Sequence, residues 1–463
     1  MSAETTARNL ASFTLSQAAQ ATRGRILTGD PSTHCTGVSA DTRTVATNNL
    51  FVALRGERFD AHEFLPQAQA AGALSAIVEN TALAPRDFAC IQVDNTLHAL
   101  GDLARYHRLR FSIPVVGITG SYGKTTTRAL MAAALGARLR VLATAGNFNN
   151  EIGLPMTLFG LNETHDCAVL EMAMRGLGQI KYLAEVAAPT VGVVTNIGPQ
   201  HIELLGGMDK IAQAKAELIE ALPNDGVAVL PVDDEYSQFL RERAPCEVVT
   251  FGSSETADYR VSEIVTSGEG CISFRISNPQ GETCTLTLPM PGAHNAINAA
   301  AALAVAEILG VQLAEAARAL ENVEVPGARM RVVRGGGITI IDDCYNAGPT
   351  SMRAALQTLH DFPTAGRRVA VLGTMKELGP WSQQEHRKLG KLAGDSVRVL
   401  VGVGEETREM LDAAQSDAER HWFADANAAA QDIKQLLRDG DVVLVKGSRS
   451  VGLEVVVNAL ANR

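Results

Sequence analysis

Residues 115–127 read VVGITGSYGKTTT. A β-branched run enters a glycine turn, and the Ala- and Leu-rich segment 125–135 that follows suits a helix. A strand feeding a helix through so tight a turn leaves few folds open. The helix must pack back on the strand, and the next strand then lies parallel through a right-handed crossover. The same turn has a chemical use. Glycines let the backbone wrap a phosphate, and the helix start offers free N–H groups at a positive dipole end. The candidate phosphate site is therefore Thr119, Gly120, Ser121, Tyr122, Gly123, Lys124, Thr125 and Thr126. Lys124 has the length to reach terminal phosphates, and the Thr125 hydroxyl suits Mg²⁺. The spacing is GxxGKTTT; the stricter GxxxxGK[ST] form is not met, because residue 118 is Ile.

The rest of the chain extends the α/β pattern. Apolar strands are predicted at 168–170, 191–194 and 227–230, with a helix at 211–222. Residues 246–290 alternate with period two and predict antiparallel strands. A long Ala-rich helix is expected over 294–309, and Pro326-Gly327 reads as a linker. Beyond it, strands at 338–341, 369–372, 397–401 and 442–445 alternate with helices, which predicts a Rossmann-like unit. Ahead of residue 115, strands at 50–54 and 75–78, a helix at 65–71 and a helix at 97–110 predict a small α/β domain. The 463 residues fit three domains at roughly 150 residues each. The expected boundaries are 1–112, 113–326 and 327–463. The fold class is α/β: a small N-terminal domain, a central doubly wound and mostly parallel sheet, and a C-terminal Rossmann-like domain.

A net charge of −10 argues against nucleic acid as a partner, while leaving room for small anionic substrates held by local cations. Seven dispersed cysteines, none in CxxC spacing, fit a reducing compartment. Residues 1–20 show no signal-peptide pattern, and no apolar run approaches the ~20 residues of a membrane span. The expected location is the cytoplasm.

Further candidates stand at strand exits, where open α/β sheets bind ligands. Glu171 follows the apolar run 168–170 and is a candidate Mg²⁺ ligand; alone, such a Glu is more often a surface residue. His201, in NIGPQHIE, is a candidate metal or phosphate contact, against a structural role. Lys215 on an amphipathic helix reads as a solvated lysine. Asn149 and Asn150 suit turn chemistry. Asn295 and Asn298 are either helix caps or amides that read an adenine edge. Asp342 and Asp343 offer paired carboxylates, or a ribose contact beside a structural cap. Lys446 and Ser448 follow the strand at 442–445 and can hold a phosphate or carboxylate.

Nine segments in chain order carry a family resemblance: DTRTVATNNLFVALRGERFDAHEF, GITGSYGKTTT, TAGNFNNEIGLPMTL, NIGPQHIELLG, AKAE, GAHNAINAAAA, PGARMR, IDDCYNAGPTSM and VKGSRSVGLE. Together they resemble the Mur ligase family of peptidoglycan synthesis. The resemblance implies an ATP-dependent ligase that forms an amide through an acyl phosphate. It implies that the N-terminal domain holds a UDP-sugar, with Asp41 and Arg43 near the uridine end, that the central domain binds ATP, and that the C-terminal domain brings the amine. Lys124 and the amides of 121–125 would hold the phosphates. Thr125 and Glu171 would bind one Mg²⁺, and His201 a second. Lys215 resembles the lysine that the family carbamylates with CO₂, which displaces the solvated reading. Asn295 and Asn298 would contact adenine, and Arg329 and Asp343 phosphate and ribose. Asn149, Asn150, Tyr345, Asn346, Lys446 and Ser448 become candidate substrate contacts. DDCYNAGPTSM and VKGSRS favour the dipeptide-adding type, with UDP-MurNAc-tripeptide and D-Ala-D-Ala as substrates and a monomeric enzyme. Rival readings are a neighbouring step of the family, a folylpolyglutamate-type ligase, and a P-loop NTPase switch. Two stretches depart from the commoner family form: Glu171 to Gly176 (EMAMRG) and Leu372 to Gly379 (LGTMKELG).

Overall fold

A computed structural model of the chain describes residue 9 and residues 11–56, 59–415 and 417–462. Most of residues 1–10, part of the stretch without a signal-peptide pattern, lie outside the described residues. Among the described residues, three larger sheets form from successive stretches of chain, and a small antiparallel pair, Ser12–Thr14 with His34–Thr36, joins the first.

The central sheet has nine strands. Val115–Thr119 is fully buried and lies between Cys167–Glu171 and Val191–Val194, parallel to both. Val141–Ala143 closes one edge, and Val227–Pro231 continues the other side. The chain thus leaves Val115–Thr119 toward one edge and later resumes on the opposite side. That reversal is a topological switch point, with a crevice at the carboxyl ends of the strands. Helix Lys124–Gly136 packs against helix Ala293–Ile308. The Ala-rich second helix is buried almost all round, because small side chains let it approach both its partner helix and the sheet.

The antiparallel expectation for 246–290 holds in part. Tyr259–Thr266, Ile272–Ser277 and Thr283–Leu288 form an antiparallel meander. Glu247–Gly252, however, runs parallel to Val227–Pro231, and Tyr259–Thr266 runs parallel to it in turn. Period-two alternation reports one covered face, not the direction of a partner. Here a crossover through helix Ser237–Arg241 brings the strand back in the same sense.

The C-terminal sheet has six strands, with Ile338–Asp342, Val442–Lys446, Arg368–Gly373, Val399–Val403 and Glu419–Phe423 in parallel order and Arg331–Gly335 antiparallel at one edge. The strand expected at 397–401 starts two residues later, since Val397 still closes the preceding helix. The N-terminal sheet has five strands, including Leu50–Val52 and Ser75–Val78. Among the described residues, no helix is long and apolar enough to cross a membrane.

Helix Thr96–Arg108 joins the first sheet to the second by packing on helices Gly153–Leu158 and Gln179–Ala187. Arg108 locks the exit, donating to the carbonyls of Phe111, Ile113 and Ala187. His107 lies buried among Phe13, Phe111 and Phe159, with Nε2 2.9 Å from the Leu161 carbonyl. Burial lowers its pKa to about 4. An unfolded histidine titrates near 6.5, so between these values the unfolded chain binds the proton that the folded ring refuses. This site therefore loses up to about 3 kcal/mol of stability as pH falls from ~6.5 to ~4. Urea unfolding across that window should show a shallower pH slope for His107→Phe than for the wild type; equal slopes would contradict the assignment.

Candidate active site

A cleft of about 710 Å³ opens at the switch point and is lined from both the central and the C-terminal sheets. Its walls bring together Ser121, Tyr122, Gly123, Lys124, Thr125, Thr126, Asn149, Asn150, Glu171, His201, Asn295, Asn298, Arg329, Asp343, Tyr345, Asn346 and Lys446.

The glycine turn is shaped by its neighbours. Ser121 donates its amide to the Asn196 carbonyl and its hydroxyl to the Gly198 carbonyl. The Asn196 side chain accepts from Tyr122 N and donates to Tyr122 O, each at 3.0 Å. At Gly120 any Cβ would collide with Thr195 Oγ1, and Gly123, at φ 80°, caps the helix without a side chain. The turn therefore presents backbone amides at the helix start, as an anion site requires. Lys124 folds over the turn, donating to the carbonyls of Gly120 at 2.6 Å and Ser121 at 3.2 Å. Burial lowers its pKa, opposed by the nearby Glu171 carboxylate.

Glu171 is 2% exposed. Oε2 accepts from the Thr125 hydroxyl at 3.0 Å and Oε1 from Asn149 Nδ2 at 2.8 Å. Its amide donates to Thr144 Oγ1, which fixes the strand end. Arg128 stands 3.9 Å from Oε2. Asn150 does make a turn, accepting from the amides of Ile152 and Gly153. From the C-terminal side, Arg329 lies over the Tyr345 ring and donates to Thr125 Oγ1 at 3.3 Å.

Asn295 and Asn298 are not helix caps. The cap is Gly292, and both amides are buried. Asn295 donates to the Pro291 carbonyl, Asn298 donates to Asn295 Oδ1, and Asn298 backs onto Gly123. Asp342 and Asp343 do not act as a pair, because adjacent positions at a strand end face opposite ways. Asp342 pairs with Arg331, while Asp343 accepts from Lys446 Nζ at 2.6 Å in the cleft wall. Lys446 is buried and also donates to the Asn346 carbonyl.

Lys215 is not solvated. It is 3% exposed on helix Met208–Glu220, behind the cleft wall rather than in it. Burial lowers its pKa well below the usual lysine range, and the charge of Lys124 lowers it further. His201 lines the cleft with Nδ1 2.5 Å from Glu377 Oε2 of the C-terminal unit. Its pKa is lowered by burial, with Lys124 and Lys215 adding to the effect and Glu377 opposing it.

Other predicted residues stand apart from the cleft lining. Thr119 supports the turn from beneath, donating to the Met172 carbonyl. Ser448 accepts from Lys376 N. Asp41 and Arg43 pair with each other on the exposed face of the N-terminal unit. Among the described residues, no three His, Cys, Asp or Glu side chains converge on a metal position. All seven cysteines are free thiols.

Sequence reasoning passed over Arg128, Asn196, Arg175 and Glu377. Arg128 was signalled by helical spacing, since it stands three residues after Thr125 and so shares its face. Asn196 opens NIGPQHIE, a segment read only for its histidine. Arg175 lines the cleft from the EMAMRG departure, and Glu377 belongs to the second departure.

A parallel sheet with a phosphate-type turn at its switch point, facing a second Rossmann-like unit across a cation-rich cleft, defines a nucleotide-using α/β enzyme. The chain belongs to the Mur ligase family. Residues 34–108 match the family's catalytic domain model, 118–306 its middle domain model and 328–449 its glutamate ligase domain model. The chain is 36% identical to the UDP-N-acetylmuramoyl-tripeptide–D-alanyl-D-alanine ligase of Bacillus subtilis, covering 92% of this chain and 93% of that one. It is 35% identical to the ligase of the same name from Escherichia coli, covering 97% and 98%. Among solved structures, MurF of Acinetobacter baumannii superposes with a TM-score of 0.91 at 34% identity, covering 98% of this chain and 99% of that one. MurF of Thermotoga maritima in complex with ADP gives 0.82 at 30% identity, covering 92% and 96%.

Proposed function

We propose that this enzyme joins D-alanyl-D-alanine to UDP-N-acetylmuramoyl-tripeptide in peptidoglycan precursor synthesis, with ATP converted to ADP and phosphate. It is an ATP-dependent carbon–nitrogen ligase that acts on small molecules. One observation carries the reading: the Thr125–Glu171 pair and Lys124 stand at the head of a cleft whose opposite wall, with Asp343 and Lys446, comes from another domain. A reaction that activates one substrate and then delivers a second needs such a shared cleft.

The division of labour follows the three units. The N-terminal unit, residues 1–112, holds the UDP-sugar, with Asp41 and Arg43 at the uridine end. Residues 113–326 bind ATP, and residues 327–463 bring the dipeptide amine. Lys124 and the amides of 123–125 grip the phosphates; those of Ser121 and Tyr122, expected to help, are spent on the carbonyl and side-chain oxygen of Asn196. Asn295 and Asn298 lie on the adenine side, and Arg329 and Asp343 on the phosphate and ribose side. Asn149, Asn150, Tyr345, Asn346 and Lys446 position the peptide and the dipeptide, while Ser448, outside the cleft lining, holds the backbone of Lys376.

Thr125 and Glu171 fit Mg²⁺, because a hydroxyl and a buried carboxylate 3.0 Å apart form an oxygen donor set that leaves most positions to phosphates and water. When bound, the ion neutralises charge on the phosphates. Burial drives Lys215 toward the neutral amine, the form that reacts with CO₂, and a carbamate there, formed with release of a proton, would supply an oxygen donor. His201 completes this end of the site.

In the first step a carboxylate oxygen of the acceptor peptide attacks the γ-phosphorus. The β–γ bridging P–O bond breaks and ADP leaves. Lys124 and Arg329 stabilise the charge on the transferring group. In the second step the neutral amine of the dipeptide attacks the acyl carbon. The tetrahedral intermediate collapses, the carbon–oxygen bond to phosphate breaks, the proton lost from nitrogen leaves with the phosphate, and an amide and inorganic phosphate remain. Seating of the C-terminal wall keeps water from the acyl phosphate.

The reading is tested by phosphate release with ATP, Mg²⁺ and UDP-MurNAc-tripeptide, with and without D-Ala-D-Ala. Release that needs both organic substrates, with a product heavier by the dipeptide, is the expected result. Release indifferent to both would favour the NTPase switch, and release with a different amine would favour a neighbouring step.

A further inference from the structure

Two non-glycine residues meet across the cleft in left-handed backbone: His201 at φ 57° and Glu377 at φ 61°. Side-chain-bearing residues hold that conformation only where their surroundings enforce it. Here the enforcement is visible on the Glu377 side. Lys376 N donates to Ser448 Oγ, and Lys376 Nζ pairs with Glu406 at 2.6 Å. Glu406 also accepts from the Thr374 hydroxyl, and Met375 N donates to His386 Nε2. Met375 and Leu378 are buried in one core with Ile202 and Leu205, the residues that follow His201. The loop is thus rigid within its own domain and seated on the next.

The contact itself has a defined sense. An ionised carboxylate can only accept, so the proton of the 2.5 Å bond sits on His201 Nδ1. Nε2 is then the lone-pair atom of a ring that lines the cleft. A carboxylate behind a histidine fixes both tautomer and ring orientation.

We propose that Glu377 is a positioning residue for ligation: once its loop seats on the central domain, it fixes His201 with Nε2 available to the phosphate end of the cleft. Readiness of the nucleotide site is thereby linked to seating of the C-terminal domain. This rests on the reading of the cleft as the ATP site.

The test uses the full-length enzyme and two variants. Glu377→Gln keeps an acceptor oxygen, and Glu377→Ala removes it. Binding of a non-hydrolysable ATP analogue, steady-state ligation kinetics and small-angle X-ray scattering with the analogue bound are compared. The expected result for Glu377→Ala is a kcat lower by roughly 10–100-fold, an ATP KM within roughly 3-fold of wild type, and a larger radius of gyration. Glu377→Gln should recover most of kcat and the compact form. Wild-type kcat in Glu377→Ala, unchanged scattering, or a Gln variant as impaired as the Ala variant would each overturn the proposal. Failure of the wild-type enzyme itself to bind the analogue would overturn the reading of the cleft instead.

Discussion

Replacing Glu171 with glutamine should lower kcat by roughly 10²–10³-fold, comparable to losing one group that stabilises the transition state, because the carboxylate is what would hold the Mg²⁺ that neutralises the phosphates. The substitution is nearly isosteric. Its remaining carbonyl oxygen can still accept from the Thr125 hydroxyl, so the strand end and the turn keep their shape. What is lost is a negative charge among cations: Lys124 and Arg128 lie near it, and Arg329 reaches the same threonine. A thermal midpoint within a few degrees of wild type would show that the fold survives. Near-normal turnover in this variant would remove Glu171 from the chemistry and leave it as a structural partner of Asn149 and Thr125.

Replacing Lys215 with methionine should separate activity from stability. The wild-type side chain is 3% exposed, and among the described residues its unmodified amine makes no hydrogen bond or ion pair. Its folded pKa is lowered well below 10.5, so the unfolded chain holds the proton more tightly. The sign follows: this site weakens the fold as pH drops from ~10.5 through the folded pKa, and the full penalty is present below it. Methionine removes that penalty, so the variant should melt higher at neutral pH than CO₂-stripped wild type, in which Lys215 is the free amine. Yet ligation should fall by roughly 10²-fold or more, because methionine cannot become a carbamate. Wild-type activity should also fall when CO₂ is stripped and return with bicarbonate, while the variant responds to neither. A fully active methionine variant would make Lys215 a buried amine without a role in the reaction.

How far the site was readable depends on how local each feature is. The phosphate turn was legible because strand, glycines and helix start lie within thirteen consecutive residues, 115–127. Glu171 was legible from its strand exit. Lys215 was readable in principle: Ile211, Leu218 and Ile219 are buried on the same helix, and a residue four after Ile211 and four before Ile219 shares their face. Composition overrode that spacing, since lysine is so often solvated. Asp342 and Asp343 looked like a pair in sequence but are parted by strand alternation. The parallel sense of Glu247–Gly252 and the partnership of Glu377 with His201 were not legible at all. Both are set by chain distant in sequence, and the second crosses a domain boundary.

The central claim is that the peptide carboxylate is activated as an acyl phosphate. It is tested most directly by labelling both oxygens of that carboxylate with ¹⁸O and following the label through one turnover with D-Ala-D-Ala. Attack on the γ-phosphorus followed by amide formation transfers one labelled oxygen to inorganic phosphate and leaves the other in the new amide. Unlabelled phosphate released in step with product would contradict the account, because ATP would then have been cleaved by water or the carboxylate activated by another route.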